Sequence, residues 1–134
     1  MDKTRKKNDR RSTVKALDKV TAEIIKIRDN RQCQRCSGLP GVYGCHWAHI
    51  YSRKSFILRW DLLNSLTLCA GCHRWGHGNP LDFVQFFKNI FPARYNYLIV
   101  KRRESRQVST VELQELLEGH KEKFKELKDE TQTG

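Results

Sequence analysis

Asn64-Ser65-Leu66-Thr67-Leu68-Cys69-Ala70-Gly71-Cys72-His73 is the stretch on which the fold turns. Leu66 and Leu68 alternate with polar neighbours, the period of a strand with one face turned inward. The alternation stops at Cys69, and a helix is expected from Ala70 or Gly71, carrying Cys72, His73 and His77. Cys69 and Cys72 form a C-x2-C pair at this joint, and Cys33 and Cys36 form another, with 32 residues between the pairs. Four thiolates complete a tetrahedral Zn2+ site, whereas a single pair would serve equally as a redox dithiol. Two pairs in one small chain predict structural zinc. The interval exceeds the ~15 to 20 residues of a compact zinc ribbon, so something functional is expected inside it. Cys45, the fifth cysteine, reads as a small buried hydrophobe beside the site.

Upstream of the second strand, His46-Trp47-Ala48-His49-Ile50 reads as its partner, and Tyr51 to Leu63 as a long basic loop. Residues 30 to 45, with Gly38, Pro40, Gly41 and Gly44, read as loop and short strand around the first cysteine pair. Val14, Leu17, Val20, Ile24 and Ile27 recur at helical steps and predict an amphipathic helix from about 13 to 29. Residues 1 to 12 lack apolar periodicity and are expected to form a disordered basic arm.

Downstream, Asn79-Pro80 looks like a capped helix start, with Phe83, Phe86, Phe87 and Ile90 as the buried stripe and Pro92 as its end. Tyr95, Leu98 and Ile99 suggest another helix, and Ser109-x-x-Glu112 is a capping box for a last one from about 110 to 128. Leu113, Leu116, Leu117, Phe124 and Leu127 are its expected packing face. The organisation expected is a central unit over 31–80, an N-terminal helix over 13–30, C-terminal helices over 81–129 and a tail over 130–134.

With 134 residues there is room for one compact domain and tails. Apolar runs fall well short of the ~20 residues that span a bilayer, and the basic opening is not followed by the apolar segment of a signal peptide. A soluble, cytoplasmic protein with no membrane partner is expected. Lys and Arg number 26 against 15 Asp and Glu, a formal charge of +11. Such an excess calls for a polyanionic partner, by default nucleic acid. Residues 1–35 and 36–109 each carry +7, while 110–134 carry −3, so the C-terminal end is expected to stay clear of phosphates.

His46, His49, His73 and His77 cluster in and just after the interval between the cysteine pairs, where histidine can ligate metal or act as a base near neutral pH. His49, Asn64 and His73 stand as H-x14-N-x8-H, the last directly after the second C-x2-C pair. This pattern resembles the HNH (His-Me finger, ββα-metal) endonuclease family. Cys45 to Arg53, with Arg59-Trp60-Asp61 before the asparagine, looks particularly like phage HNH nucleases and NinG-type phage recombination proteins. The resemblance covers about residues 30–80.

The resemblance implies an α+β fold: a small zinc-stabilised ββα-metal core flanked by N- and C-terminal helices. It implies metal-dependent cleavage of DNA, by nicking or double-strand cutting, with 5'-phosphate and 3'-hydroxyl products, in phage DNA processing or recombination. DNA is then the main partner, with a homodimer or phage packaging proteins as further ones, and the compartment is the host cytoplasm. His49 would deprotonate the attacking water, Asn64 would hydrogen-bond and orient its imidazole, and His73 and His77 would hold Mg2+, Mn2+ or a similar divalent ion. Many members carry a further ligand immediately before the base, where this chain has Ala48; His46 is the candidate to replace it.

Arg53, Lys54 and Arg59 are expected to clamp phosphates flanking the cut bond, while Lys6, Lys7, Arg10 and Arg11 of the arm follow the DNA backbone. Asp61 reads as an anchor of the loop, and Trp60 and Trp75 as packing residues. The rival from another class is a zinc-dependent DNA-binding or packaging-accessory module that has lost catalysis, with Ala48 as its motive.

Overall fold

The computed structural model describes residues 3–41 and 44–133. Its elements run α1 (Lys3–Arg28), β1 (Cys45–His49), β2 (Ser65–Cys69), α2 (Ala70–Gly78), α3 (Pro80–Ile90), α4 (Pro92–Lys101) and α5 (Thr110–Thr133). The architecture is α+β, with one two-stranded antiparallel sheet pairing Cys45 with Cys69, Ala48 with Leu66 and His49 with Ser65. None of the described helices is long and apolar enough to cross a membrane.

Two apolar clusters organise the chain. Ala48, Ile50, Leu58, Leu66, Leu68, Phe83, Phe87 and Leu98 join the hairpin to α3 and α4. Leu17, Trp60 and Leu113 form the second, tying α1 and α5 to the loop between the strands. Trp60 is 1% exposed, so the loop is pinned by one of the largest side chains in the core. Gly76, buried in α2, lets that helix approach α3: a Cβ there would meet the Phe83 ring at 3.2 Å.

The expected arm is helical instead, since α1 starts at Lys3 and runs on without interruption. Residues 3–28 contain neither Gly nor Pro, and α1 lies along α5. Arg10 reaches across to bond the Val108 carbonyl at 2.9 Å and Thr110 Oγ1 at 3.3 Å, with its guanidinium over the Phe56 ring. Met1 and Asp2 lie outside the described residues, as does the Lys6 side chain. At the other end, α5 continues to Thr133, so most of the expected tail is helix.

Helix boundaries elsewhere fall close to the sequence reading, with four local differences. Asn79 makes no capping bond to α3; its amide donates to the Trp75 carbonyl at 3.0 Å and so closes α2. Ile90 is exposed, leaving Phe83 and Phe87 as the fully buried part of its stripe. Pro92 both follows α3 and opens α4. The Ser109 side chain does accept from the Glu112 amide at 3.1 Å, but the Glu112 carboxylate pairs with Arg106 rather than returning to Ser109.

Candidate functional site

Four thiols meet where the first cysteine turn touches the joint between β2 and α2. The Sγ atoms of Cys33, Cys36, Cys69 and Cys72 all lie within 4.8 Å of one another, and Cys36 and Cys69 are 3.9 Å apart. Tetrahedral zinc with bonds of ~2.3 Å sets its sulfurs about 3.8 Å apart, so donor set and spacing fit a metal such as zinc. Burial opposes ionisation of Cys33, but the peptide groups of Cys36, Cys69 and Arg35 outweigh it and bring the thiol down to about 6. Burial pushes Cys72 up to about 12, against the pull of Arg35, whose Nη1 lies 3.5 Å from its Sγ. Arg35 is held there by stacking 3.5 Å over the Trp75 ring. Cys45 stays apart from the four, buried with its Sγ 3.1 Å from the Gly41 carbonyl.

Beside the hairpin a cleft of about 390 Å³ is lined by Trp47, His49, Arg53, His73, His77 and Phe83 among others. His49 Nε2 is 3.0 Å from the Arg59 carbonyl. A carbonyl only accepts, so Nε2 carries the proton and Nδ1 is left with a lone pair. Burial, with the charges of Arg53 and Arg59 adding to it, lowers the imidazole from 6.5 to about 4, and the ring is neutral at pH 7.

His73 Nδ1 lies 3.0 Å from His46 Nδ1, and His73 Nε2 lies 3.1 Å from His77 Nε2. The three rings form a chain through both nitrogens of His73. His46 therefore meets the edge of His73 opposite to His77, so the three rings do not converge on one point, and Ala48, the residue before His49, is 1% exposed. Burial first, then the neighbouring His77 and His46, lowers the His73 imidazole.

Asn64 is fully buried, but its amide does not touch His49. Its Oδ1 accepts from the Tyr51 amide at 3.0 Å, and its Nδ2 donates to the carbonyls of Leu58 at 3.0 Å and Tyr51 at 3.2 Å. It closes the loop between the strands, and this loop presents the Arg59 carbonyl to His49. Asp61 anchors the same loop, accepting from the Leu63 amide at 2.9 Å and from Tyr97 Oη at 2.6 Å.

The basic residues of the loop divide. Arg59 turns inward, its Nε and Nη2 donating to the Asp18 carboxylate at 2.9 and 2.6 Å, and only 16% of its side chain is exposed. Arg53 is largely exposed, 3.5 Å from the same carboxylate, and Lys54 is exposed. Arg10 is occupied on α5, while Lys7 and Arg11 face solvent. Asp18, Arg35 and His120, whose Nε2 is 2.9 Å from the Trp60 carbonyl, escaped the sequence reading. For Arg35 a signal existed, its place inside the first C-x2-C turn; for the other two, partners 41 and 60 residues away left none.

No family model matches the chain, and neither a curated protein nor a solved structure is detectably similar to it.

Proposed function

We propose that the chain is a metal-dependent endonuclease of the HNH kind, acting on DNA, in which the four cysteines hold a structural zinc beside the reacting cleft. The observation that carries this reading is a neutral histidine with a free Nδ1, His49, sharing one cleft with the paired histidines His73 and His77. The Nε2 atoms of His73 and His77, one turn apart on α2, lie 3.1 Å from each other. These two would hold Mg2+ or Mn2+, with water and substrate oxygens filling the rest of the shell. The ion would supply positive charge to the phosphoryl and leaving oxygens.

The residues of the chain do the rest. His49 Nδ1 accepts the proton of the attacking water, a step open to it because the imidazole is unprotonated at neutral pH. The Arg59 carbonyl keeps the ring in that tautomer, and Asn64 holds the loop that carries the carbonyl. Arg53 and Lys54 meet the backbone phosphates, while the Arg59 guanidinium serves the protein's own architecture. The products are a 5'-phosphate and a 3'-hydroxyl.

Ala48 favours a second reading, a zinc-stabilised DNA-binding or packaging-accessory module without catalysis, since no ligand stands at the position before His49. The two are separated by His73→Ala: an enzyme loses metal-dependent cleavage and regains part of it in excess Mn2+, whereas a binding module shows no cleavage in any form.

A further inference from the structure

We propose that Asp18, on α1 and outside the strand-strand-helix unit, is the positioning residue of His49, because it clamps the peptide group whose oxygen holds the imidazole. That oxygen belongs to the peptide bond joining Arg59 to Trp60, and both flanking side chains grip one carboxylate. Arg59 Nε donates to Asp18 Oδ1 at 2.9 Å and Nη2 to Oδ2 at 2.6 Å, while Trp60 Nε1 donates to Oδ1 at 2.8 Å. The next carbonyl, that of Trp60, meets His120 Nε2 of α5 at 2.9 Å. Successive peptide oxygens are thus directed to His49 and His120, from a segment whose side chains are tied down on α1.

Such a clamp has a specific consequence. A carbonyl in a fifteen-residue connection between β1 and β2 would otherwise shift with its loop, and the His49 ring would choose freely between its two tautomers. Fixing the peptide plane selects Nε2–H and leaves Nδ1 as the lone-pair nitrogen. Bidentate contact to a carboxylate constrains direction as well as distance, which suits Arg59 to this role better than a lysine. Trp60 adds rigidity, since its ring is buried with Leu17 of α1 and Leu113 of α5.

The catalytic consequence rests on the nuclease reading, but the positioning itself does not, and the test separates the two. Asp18→Asn keeps an oxygen for Trp60 Nε1 and removes one acceptor from Arg59; Asp18→Ala removes all three bonds. In zinc-loaded, full-length protein, nitrogen-15 NMR of the His49 ring should show one Nε2–H tautomer in the wild type and a mixture with Nδ1–H in both variants. Cleavage should fall roughly 10- to 100-fold in kcat with KM for DNA unchanged, as for a misplaced catalytic group. If Asp18→Ala fails to fold, Asp18→Asn decides, with zinc content and far-UV circular dichroism reporting its integrity. An unchanged Nε2–H tautomer in a folded variant overturns the proposal, whatever happens to stability. A wild type that cleaves no DNA while the tautomer shifts as described defeats the nuclease reading and leaves the positioning standing.

Discussion

His49 combines a protonated Nε2, an unprotonated Nδ1 and a pKa lowered by burial to about 4, and these together have a thermodynamic signature. An unfolded chain returns this histidine to about 6.5, so between those two pH values the unfolded state binds more protons than the folded one. Stability associated with the neutral ring is fully present above about 6.5 and is lost as pH falls toward 4. The size is on the order of 3 kcal/mol. Urea denaturation at pH 7 and pH 4.5 should show that loss in the wild type and a smaller one in His49→Gln; equal losses would contradict the burial assigned to the ring. The four cysteines and the histidines were legible because metal-ligand chemistry is written in short spacings. The partner of His49 was not: the family resemblance implies Asn64 against the imidazole, whereas its amide is consumed by the carbonyls of Leu58 and Tyr51. An asparagine can bond anything within reach, and only the path of the loop decides what that is.

Among the elements, β2 and α2 would depend most directly on a metal held by the four cysteines, because Cys69 and Cys72 sit on either side of their joint and Cys69 Sγ accepts from the Cys72 amide at 3.4 Å. Cys33→Ser or Cys72→Ser should release zinc and unfold the hairpin and its following helix, since structural zinc binding and folding are coupled. Elemental analysis should find one zinc per chain in the wild type and none in either variant, with loss of helical and tertiary circular dichroism signals; a native spectrum without zinc would contradict it. Both strands and α2 were readable from period and punctuation. Residues 3–12 were not, because polar, charged sequence without an apolar stripe has no visible reason to fold, and the reason lies in α5. Thr13, Thr21 and Ile25 are also buried on α1, widening the stripe that Leu17 and Ile24 announce.

Across the whole molecule, charge is divided between a basic N-terminal part and an acidic C-terminal one, and α1 and α5 nonetheless lie side by side. Their packing encloses Leu17, Trp60 and Leu113, and engages Arg10 with the segment leading into α5. Under the nuclease reading, Lys7 and Arg11 remain as solvent-facing cations of the first turns of α1. Replacing both by Gln should reduce the slope of log K against log salt on duplex DNA by about 1.8, at about 0.9 per lost phosphate contact, equally for all sequences. Fluorescence anisotropy across a salt series measures this, and an unchanged slope would remove that face of α1 from the DNA interface. Arg59→Gln should instead leave the salt slope unchanged and show its effect on stability and on the His49 tautomer, because its guanidinium is already paired with Asp18.

Cleavage of supercoiled plasmid by the zinc-loaded protein decides whether His49 serves as the base proposed above for metal-dependent DNA hydrolysis. In Mg2+ or Mn2+ the wild type should convert plasmid to nicked or linear DNA with 5'-phosphate ends, EDTA should stop it, and His49→Ala should be slower by ~10²- to 10⁴-fold while binding DNA normally. Intact plasmid after incubation of the wild type with either cation, or wild-type turnover by His49→Ala, would contradict the account.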